Sequence, residues 1–361
     1  MISTCYVVAN TLPPNFGWQM RARGLRAAQL VSQARAVFDE VRYLLFLERF
    51  HTLHRDRGFA ILAPAQADTT MISLDAFEAF AERIEPATFV FTQNEFVEKA
   101  AIAAERHTVI YDILSLRELS LPLSGASEDE IRQFQVHHAK MLKIASRTMV
   151  NGDKARAFLG DKLKGKDVVV APFSPPPMEV SPRPRTHLLF GGPLPRWADV
   201  TPIFRTMSAY LAQAPETPTI MLAPEGQTED ANALEYCALW LMANVTPMWN
   251  LSALNDAEIL AMCFGYVEWA PLDEGRAHGM SLRTLQAVAA GVPVLHQVGT
   301  ALDLLWDTFP GERLDAPITP ADVARFVEKA KAGDYDEAVS AAQAVLNHHR
   351  GTPQPFEGLT R

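Results

Sequence analysis

Short apolar runs rich in β-branched residues alternate along this chain with longer amphipathic segments, whose apolar positions recur every three to four residues. The runs are typical of buried strands and the segments of surface helices. Their regular alternation predicts strands joined by helical crossovers, as in a parallel sheet. In the first half, strands are predicted at residues 4–10, 41–46, 87–92, 108–113, 148–151 and 168–171, and helices at 18–33, 74–83, 95–104, 128–145 and 154–163.

A proline-rich segment, PFSPPPMEVSPRP at residues 172–184, interrupts this alternation. Proline at that density excludes helix and central strand and favours an extended connector. The sequence therefore predicts an α/β protein with two Rossmann-like doubly wound domains, at 1–175 and 186–345, followed by a polar and loose tail at 346–361. After the connector, strands are predicted at 187–190, 219–222, 245–249, 266–269 and 292–297, and helices at 198–214, 230–243, 256–263, 281–290 and 320–332.

Composition narrows the class of protein. A chain of 361 residues suits two domains, and 48% hydrophobic with 21% charged residues indicates a globular protein. The net charge of −9 argues against a nucleic-acid partner, although Arg21, Arg23 and Arg26 could form a local basic patch. The three cysteines have neither metal-ligand spacing nor a disulfide framework. Two of them sit in apolar segments, so buried thiols are expected. We see no signal peptide and no membrane-spanning run, and we expect a cytoplasmic protein.

The most informative segment is DEGRAHGMSLRTLQAVAAGVPVLH, residues 273–296. Ser281 can cap the amino terminus of a short helix, and Gly291 can end that helix. The helix would present its free N–H groups at a sheet edge, which is a natural site for an anion such as phosphate. Its opposite face carries Arg283 and Gln286, one turn apart. One apolar stripe is expected to face the sheet: Leu282, Leu285 and Ala289.

This segment resembles the donor-binding signature of GT-B-fold glycosyltransferases, especially family 4, in which an acidic residue and glycines lead into an E-A-(M/L)-A-x-G-x-P-V helix. The run QAVAAGVPV from Gln286 matches that register, with glutamine at the glutamate position. Counting back to the family's other glutamate lands on His278. The resemblance implies that Gln286 holds the nucleotide ribose, since an amide both donates and accepts. It also implies that His278 contacts the donor sugar and takes part in catalysis.

A second element, HLLFGGPLPRWAD from His187, is similar to the family's G-R-L…K-G element, whose cations neutralise the donor diphosphate. Pro193 stands at the arginine position, so Arg196 is the nearby cation, supplemented by Arg276 and Arg283. The loop at Gly299 and Thr300 could add backbone N–H groups and a hydroxyl. The donor site is thus expected to comprise Gly191, Gly192, Arg196, Glu274, Gly279, Met280, Ser281, Arg283, Gln286 and Thr300.

The first domain offers candidates on the acceptor side. Asn15, Gly17 and Arg21 follow the first predicted strand, in a loop that lies near donor phosphates and acceptor in GT-B enzymes. An ordinary βα loop with a solvated basic helix face is the alternative. Asp112 ends a predicted strand and could serve as general base or position an acceptor hydroxyl, although an aspartate that begins a turn is equally consistent.

Metal and cofactor signals are weak. The pairs His137-His138 and His348-His349 are adjacent, and neighbours on a helix do not face one another. We interpret both pairs as solvated surface, and we expect no metal site and no cofactor, with the nucleotide sugar as a substrate. The absence of a G-x-G-x-x-G after the first strand disfavours a Rossmann oxidoreductase.

The resemblance implies a transferase that moves a sugar from a nucleotide sugar to a glycan or lipid-linked acceptor in surface polysaccharide assembly. The donor would bind the second domain and the acceptor the first, across a cleft. Peripheral contact with the inner membrane face is compatible with such an acceptor. Two alternatives stay open: a non-catalytic GT-B relative that serves as a partner or scaffold subunit, and a GT-B enzyme of other chemistry, such as a sugar-nucleotide epimerase.

Overall fold

The computed structural model describes residues 3–8, 22–48, 69–175, 183–191, 201–223, 238–249, 253–268 and 277–359. The chain divides into two compact units. The first comprises Met1–Ser174 together with His348–Arg361, and the second comprises Pro175–Asn347. Each unit contains one parallel sheet with helices between its strands.

The first unit is built on a seven-stranded sheet in the order β3-β2-β1-β4-β5-β6-β7, in which every neighbouring pair is parallel. Its strands are β1 (Thr4–Val8), β2 (Glu40–Phe46), β3 (Thr69–Ile72), β4 (Thr88–Phe91), β5 (Thr108–Ile113), β6 (Arg147–Val150) and β7 (Asp167–Val170). Its helices are α1 (Ala22–Ala34), α2 (Phe77–Arg83), α3 (Val97–Ala104), α4 (Arg117–Leu123), α5 (Glu128–Ile144) and α6 (Asp153–Leu159).

The second unit is built on a six-stranded parallel sheet in the order β10-β9-β8-β11-β12-β13. Its strands are β8 (His187–Gly191), β9 (Thr219–Ala223), β10 (Val245–Trp249), β11 (Cys263–Val267), β12 (Val294–Gln297) and β13 (Gly311–Leu314). Its helices are α7 (Thr201–Gln213), α8 (Ala253–Met262), α9 (Leu282–Ala289), α10 (Pro320–Ala332) and α11 (Asp336–Gly351), whose last residues belong to the first unit.

Both sheets are doubly wound, which explains their continuous apolar strands. In β1, Tyr6 and Val8 join one buried cluster while Cys5 and Val7 join another, so both faces of the strand are covered. Because crossover helices cover both faces of a parallel sheet, its central strands lose the alternation of polar and apolar residues. The predicted α/β class with two doubly wound domains is confirmed.

The structure corrects the prediction of a loose tail. Residues 348–361 belong to the first unit, and Phe356 is fully buried with its ring edge-on to Phe38, 5.8 Å between centroids. The His349 carbonyl accepts a hydrogen bond of 2.7 Å from the Gln33 amide. Arg147 donates to the carbonyls of Pro355 and Glu357 at 3.1 and 2.9 Å. Packing and these bonds hold the segment, although its sequence is polar.

Among the described residues, no helix combines the length and the apolar character that crossing a bilayer requires. Among the helices that the structure describes in the first unit, α5 is the longest, and it carries charged residues along its length.

Candidate functional site

Several predicted site residues lie outside the described residues. On the acceptor side these are Asn15, Gly17 and Arg21, and on the donor side Gly192, Arg196 and Glu274. Their roles stay predictions. The site is therefore built below from the residues that the structure describes around α9.

The strand order of the second unit reverses between β8 and β11. In doubly wound sheets, ligands bind outside the carboxyl ends of the strands at such a switch point. Gly191 ends β8, Glu268 directly follows β11, and Gln297 ends the adjacent β12. Gly191, a predicted donor residue, therefore lies at the end of the sheet where a ligand is expected, beside Glu268 and Gln297, which were not predicted.

Gly191 is required for a reason that the sequence does not reveal. Its φ is 124°, and a Cβ at this position would lie 2.8 Å from the backbone oxygen of Leu222 on neighbouring β9. Its own carbonyl accepts a 2.8 Å hydrogen bond from the hydroxyl of Tyr266. Close packing between strands thus accounts for this glycine, independently of any phosphate.

Helix α9 begins and ends as the sequence predicts. The Ser281 hydroxyl accepts from the Thr284 N–H at 3.3 Å, which is an N-cap. At the other end Gly291 has φ of 76°, and the Val292 N–H bonds the Ala287 carbonyl while the Gly291 N–H bonds that of Val288, both at 2.9 Å. This is a Schellman motif, which requires a left-handed residue at the position of Gly291.

Two side chains from elsewhere in the second unit hold the carboxyl end of α9. The Arg185 guanidinium donates to the carbonyls of Ala290, at 2.9 Å, and Gly291. The Gln343 amide donates to the Ala289 carbonyl at 3.0 Å. Because these carbonyls would otherwise lack partners at a helix end, the bonds fix the position of the helix.

The amino end of α9 contacts the loop that follows β12. The Ala301 N–H donates to the Gly279 carbonyl at 3.3 Å, so the segment before the helix and the Gly299-Thr300 turn lie side by side. The sequence placed both in one site on the strength of the family resemblance. The structure brings them into direct contact.

The exposure of the helix differs from the predicted amphipathic pattern. Residues 284–288 are all buried, including Thr284 and Gln286, whereas Leu282 and Ala289 of the expected apolar stripe are half-buried. His278, Gly279, Met280, Ser281 and Arg283 are half-buried. Apart from Ala289, the half-buried residues of the helix lie in its first turn and just before it, which is where an anion would bind.

A buried polar network, defined here as Glu268, Thr284, His296, Thr300 and Asp303, lies beneath that first turn. Glu268 is 5% exposed; its Oε1 accepts from the Thr284 hydroxyl at 3.0 Å, and its Oε2 bonds Nδ1 of the fully buried His296. The other imidazole nitrogen, Nε2, lies 3.2 Å from Asp303 Oδ1 and 3.3 Å from the Thr300 hydroxyl. The network joins β11, α9, β12 and the following turn.

The geometry of Thr300 corrects its expected role. Asp303 Oδ2 accepts from the N–H groups of Gly299, at 2.7 Å, and Thr300, at 2.9 Å. The Thr300 hydroxyl accepts from the Leu302 N–H at 3.2 Å, and the residue is 1% exposed. The donors that we expected to bind phosphate are thus occupied by a carboxylate of the same turn. Thr300 positions the turn, and it offers no exposed group to a ligand.

Sequence reasoning missed Glu268, His296 and Asp303. A signal was present: two apolar runs, GYVE at residues 265–268 and VPVLH at residues 292–296, each end in a residue that is costly to bury alone. Parallel strands bring their carboxyl ends to one edge, so an acid and a histidine ending adjacent strands can pair. Which strands are adjacent was not evident from the sequence.

Asp112 is buried in an ion pair, whereas His278, the other candidate for catalysis, is half-buried. It is 1% exposed and receives hydrogen bonds from the fully buried Arg26, at 2.6 Å from Nη2 and 3.0 Å from Nε. Arg26 also donates to Gln29 at 3.0 Å, and Gln29 donates to the Pro172 carbonyl at 2.9 Å. The pair connects α1 to β5 and to the chain after β7. Arg26 is therefore not part of a basic surface patch. The carboxylate of Asp112 accepts hydrogen bonds from Arg26 at both oxygens, whereas a general base needs a free oxygen.

The remaining titratable groups narrow the chemistry. Cys5 and Cys263 are buried as predicted, and burial raises the pKa of the Cys263 thiol to about 12 and that of Cys5 further. Neither supplies a thiolate nucleophile at neutral pH. Within the described parts of the chain, no group of three or more His, Cys, Asp or Glu side chains is arranged to hold a metal ion.

Solved structures similar to this chain extend over nearly its whole length. HepE from Anabaena in complex with UDP-glucose matches with a TM-score of 0.66 at 13% identity, over 100% of both chains. Sucrose-phosphate synthase from Thermosynechococcus elongatus matches at 0.60 and 13% identity, over 98% of this chain and 94% of that one. A UDP-forming trehalose-phosphate synthase from Burkholderia xenovorans matches at 0.60 and 10% identity, over 98% and 96%.

The chain has the GT-B fold. The expectation of that fold from the resemblance at residues 273–296 is confirmed. No protein-family model and no curated protein sequence matches the chain, so the similarity is one of structure.

Proposed function

We propose that this protein is a nucleotide-sugar-dependent glycosyltransferase, whose donor binds at the amino end of α9. One observation carries the proposal: a capped helix N-terminus, with Gly279 bonded to the turn after β12, lies at the switch point of a doubly wound sheet in a GT-B chain. Free N–H groups and the helix dipole at that place favour a diphosphate. The structural neighbour HepE was solved with UDP-glucose bound.

Individual residues have specific roles in this proposal. Arg283, half-buried in the first turn of α9, neutralises the diphosphate. Gln286, which is 6% exposed, is assigned to the ribose from the resemblance alone, because an amide both donates and accepts. His278 accepts a hydrogen bond from a donor-sugar hydroxyl through a neutral imidazole nitrogen. Catalysis then proceeds without a metal, because the helix N-terminus and the arginine supply the positive potential. The transferred group is a hexose.

The acceptor is proposed from the resemblance alone. A glycan or lipid-linked acceptor in surface polysaccharide assembly would contact Asn15, Gly17 and Arg21. Such an acceptor suits a cytoplasmic protein with peripheral contact at the inner membrane face. Binding to glycan fragments and to vesicles carrying lipid-linked sugar would test this separately from donor binding.

A non-catalytic GT-B relative is the second candidate, and two observations favour it. His278 and Gln286 replace the family's pair of glutamates. Moreover, the N–H groups of the Gly299-Thr300 turn are occupied by Asp303 rather than presented to a ligand. Such a protein would bind a nucleotide sugar weakly or not at all and would act through a partner.

A thermal-shift screen with UDP-, GDP-, dTDP- and CMP-sugars separates these candidates. Stabilisation by one nucleotide class, followed by sugar transfer to an acceptor, is expected of the enzyme. Binding without transfer to any acceptor, or with release of an epimerised sugar, would support the alternatives. No binding at millimolar concentration would overturn the proposed donor site.

Two variants sharpen the result. Arg283→Ala should weaken nucleotide-sugar binding by about 1–3 kcal/mol, the usual cost of losing a charged hydrogen bond. Arg325→Ala is the matched control, since Arg325 lies in α10 and pairs with Glu312 and Asp322. His278→Ala should reduce turnover with the fold intact, and unchanged turnover would remove His278 from the mechanism.

A further inference from the structure

A cavity of about 560 Å³ lies in the first unit, between α4, α5 and the chain that leads into β7. Its volume is in the range of sites that hold small molecules. We call it the lysine-lined cavity, after the residues that carry the argument: Glu118, His138, Leu142, Lys143, Lys162 and Lys166.

The position of this cavity separates it from the donor site, which is in the other unit. Lys143 lies in the last turn of α5, just before β6 begins, and Lys166 directly precedes β7. Both therefore lie at the amino ends of these strands. Ligands of doubly wound sheets bind at the carboxyl ends, so the cavity is not the usual ligand site of the first sheet either.

His138 lines the cavity and corrects the interpretation of the histidine pairs as solvated surface. It is 5% exposed, stacks on Phe134 and has its Nδ1 at 3.0 Å from the hydroxyl of Tyr111. Burial lowers the pKa of His138, with Lys162 lowering it further and Glu118 opposing both. Burial also raises the pKa of Tyr111, so that its phenol stays protonated.

The hydrogen bond with Tyr111 favours one tautomer of His138. The Tyr111 hydroxyl has a proton to donate, and Nδ1 is its hydrogen-bond partner among the described residues. A neutral imidazole that accepts at Nδ1 carries its proton on Nε2. That buried Nε2 has no hydrogen-bond partner within the described parts of the chain. The cavity wall thus holds a buried donor that is not satisfied by the protein.

Glu118 supplies a buried acceptor in the same wall. Its side chain is 10% exposed, and Oε2 receives a 2.7 Å ion pair from Lys162. The other oxygen, Oε1, is buried and lacks a hydrogen-bond partner among the residues described. Buried polar atoms without partners are rare and costly, and a donor and an acceptor in one wall indicate a ligand that offers both.

The charge of the lining selects an anion. Three lysines face one carboxylate, and only Lys162 pairs with it. The Lys166 ammonium donates to the Lys143 carbonyl at 3.4 Å, and both residues line the cavity. Lys162 is 51% exposed, so its long side chain can turn aside to admit a ligand without disturbing the core.

We propose that the lysine-lined cavity is a second small-molecule site, for a hydroxylated anion of the sugar-phosphate class. The phosphate contacts Lys143 and Lys166. A ligand oxygen accepts from His138 Nε2–H, and a ligand hydroxyl donates to Glu118 Oε1. The site is independent of the proposed donor site, because every residue of it belongs to the first unit.

Titration calorimetry on the full chain tests the site, with mannose 6-phosphate, mannose and inorganic phosphate as probes. Mannose 6-phosphate is expected to bind at least tenfold more tightly than either of the other two, since mannose lacks the phosphate and inorganic phosphate lacks the sugar hydroxyl. Saturating UDP-glucose should not displace it. Equal affinity for inorganic phosphate would overturn the hydroxyl contact, and no binding of mannose 6-phosphate at 10 mM would overturn the site.

Variants locate the binding. Lys143→Ala/Lys166→Ala should lower the affinity for mannose 6-phosphate at least tenfold, and Glu118→Gln should lower it less. The matched control is Lys329→Ala/Lys331→Ala, which removes two lysines from α10 in the second unit. An equal loss in both double variants, or no loss in the first, would contradict the assignment.

Nitrogen-15 spectra of histidine-labelled protein give a readout that does not depend on affinity. His138 should show a protonated Nε2 in the free protein, and that signal should shift when mannose 6-phosphate is added. A proton on Nδ1 instead would remove His138 as a donor, and an unmoved signal at saturation would exclude it from the contact.

Discussion

The strand β5 of the first unit and the strand β12 of the second occupy the same place in their sheets, the second strand beyond the switch point. Each carries one buried ionisable side chain at its penultimate position, Asp112 in β5 and His296 in β12. The partners differ in type: the aspartate pairs with an arginine, and the histidine lies between two carboxylates. The same position in the two sheets thus carries buried polar groups of different composition.

The two buried polar groups, one around Asp112 and one around His296, differ in the chain segments that they connect. Arg26 and Asp112 connect a helix to a strand and, through Gln29, to the chain after β7. His296 and Glu268 connect through Thr284 and Asp303 to the two backbone segments around the proposed donor site. We therefore expect the first group to control stability, and the second to control stability and ligand binding together.

The largest effect is expected at the arginine pair. Asp112→Asn should destabilise the first unit by about 3–5 kcal/mol, because it leaves a buried guanidinium without a counter-charge. Denaturant unfolding measures this loss. The double variant Arg26→Met/Asp112→Leu should recover most of it, since an apolar pair can replace a buried ion pair. A stable Asp112→Asn protein that has lost only turnover would instead indicate the general base that the sequence suggested.

A smaller loss of stability, with a loss of binding, is expected in the buried polar network. Glu268→Ala removes the carboxylate that bonds Nδ1 of His296 and the hydroxyl of Thr284, and it should cost about 1–3 kcal/mol. It should also lower the affinity for the nucleotide sugar found by screening, whereas the Arg26→Met/Asp112→Leu variant should bind that nucleotide sugar normally. Glu268→Gln should recover part of both losses, because an amide can still bond both neighbours. Normal nucleotide binding by Glu268→Ala would end the distinction between the two groups.

Acid should affect the first unit through its buried histidines. Burial lowers the pKa of His107, His138 and His349, all in that unit. His107 Nδ1 accepts from the Ala87 N–H at 3.1 Å, and its Nε2 lies 2.8 Å from the Ala81 carbonyl, so protonation would break the first bond. The unfolded chain binds protons near pH 6.5 while the folded chain does not. The free energy of unfolding should therefore not change with pH above this value, and it should decrease as the pH is lowered further.

The slope is bounded at about 1.4 kcal/mol per pH unit for each histidine. Hydrogen exchange of first-unit amides between pH 7.5 and 5 measures it. His107→Gln should flatten the acid limb even though it lowers stability at neutral pH. A first unit equally stable across this range would show that these histidines charge without cost.

The smallest effect is expected from the helix caps. Ser281→Ala and Thr319→Ala each remove a hydroxyl that caps a helix of the second unit, α9 and α10, and each should cost about 1 kcal/mol. Only the Ser281→Ala variant should weaken nucleotide-sugar binding, by a factor of about 2–5, which corresponds to about 0.4–1 kcal/mol. Equal effects of the two variants on binding would show that the amino end of α9 does not contact the nucleotide sugar.

Local rules account for what the sequence predicted well. The strand at 108–113 and the helix at 320–332 match β5 and α10, because apolar periodicity and the Thr319-Pro320 start are visible in the chain itself. The ends of α9 at Ser281 and Gly291 follow from capping chemistry in the same way.

Missed elements lacked such signals. The edge strands β3 and β13 read TTMI and GERL, too short and too polar for an apolar run, and they form because a neighbouring strand pairs with them. Helix α4 contains Pro122, and α11 has a weak apolar stripe of alanines. The contact of Glu268 with His296 joins residues 28 apart, which no local spacing predicts.

The path of the last helix restricts how this protein can be divided. Helix α11 begins among residues of the second unit, and the chain after it completes the first, where Phe356 is buried beside Phe38. A fragment that stops at the proline-rich connector would expose that aromatic surface to water and aggregate. Chimaeras that exchange donor specificity must therefore be joined at two points, near residues 175 and 347, and residues 348–359 must come from the parent of the first unit.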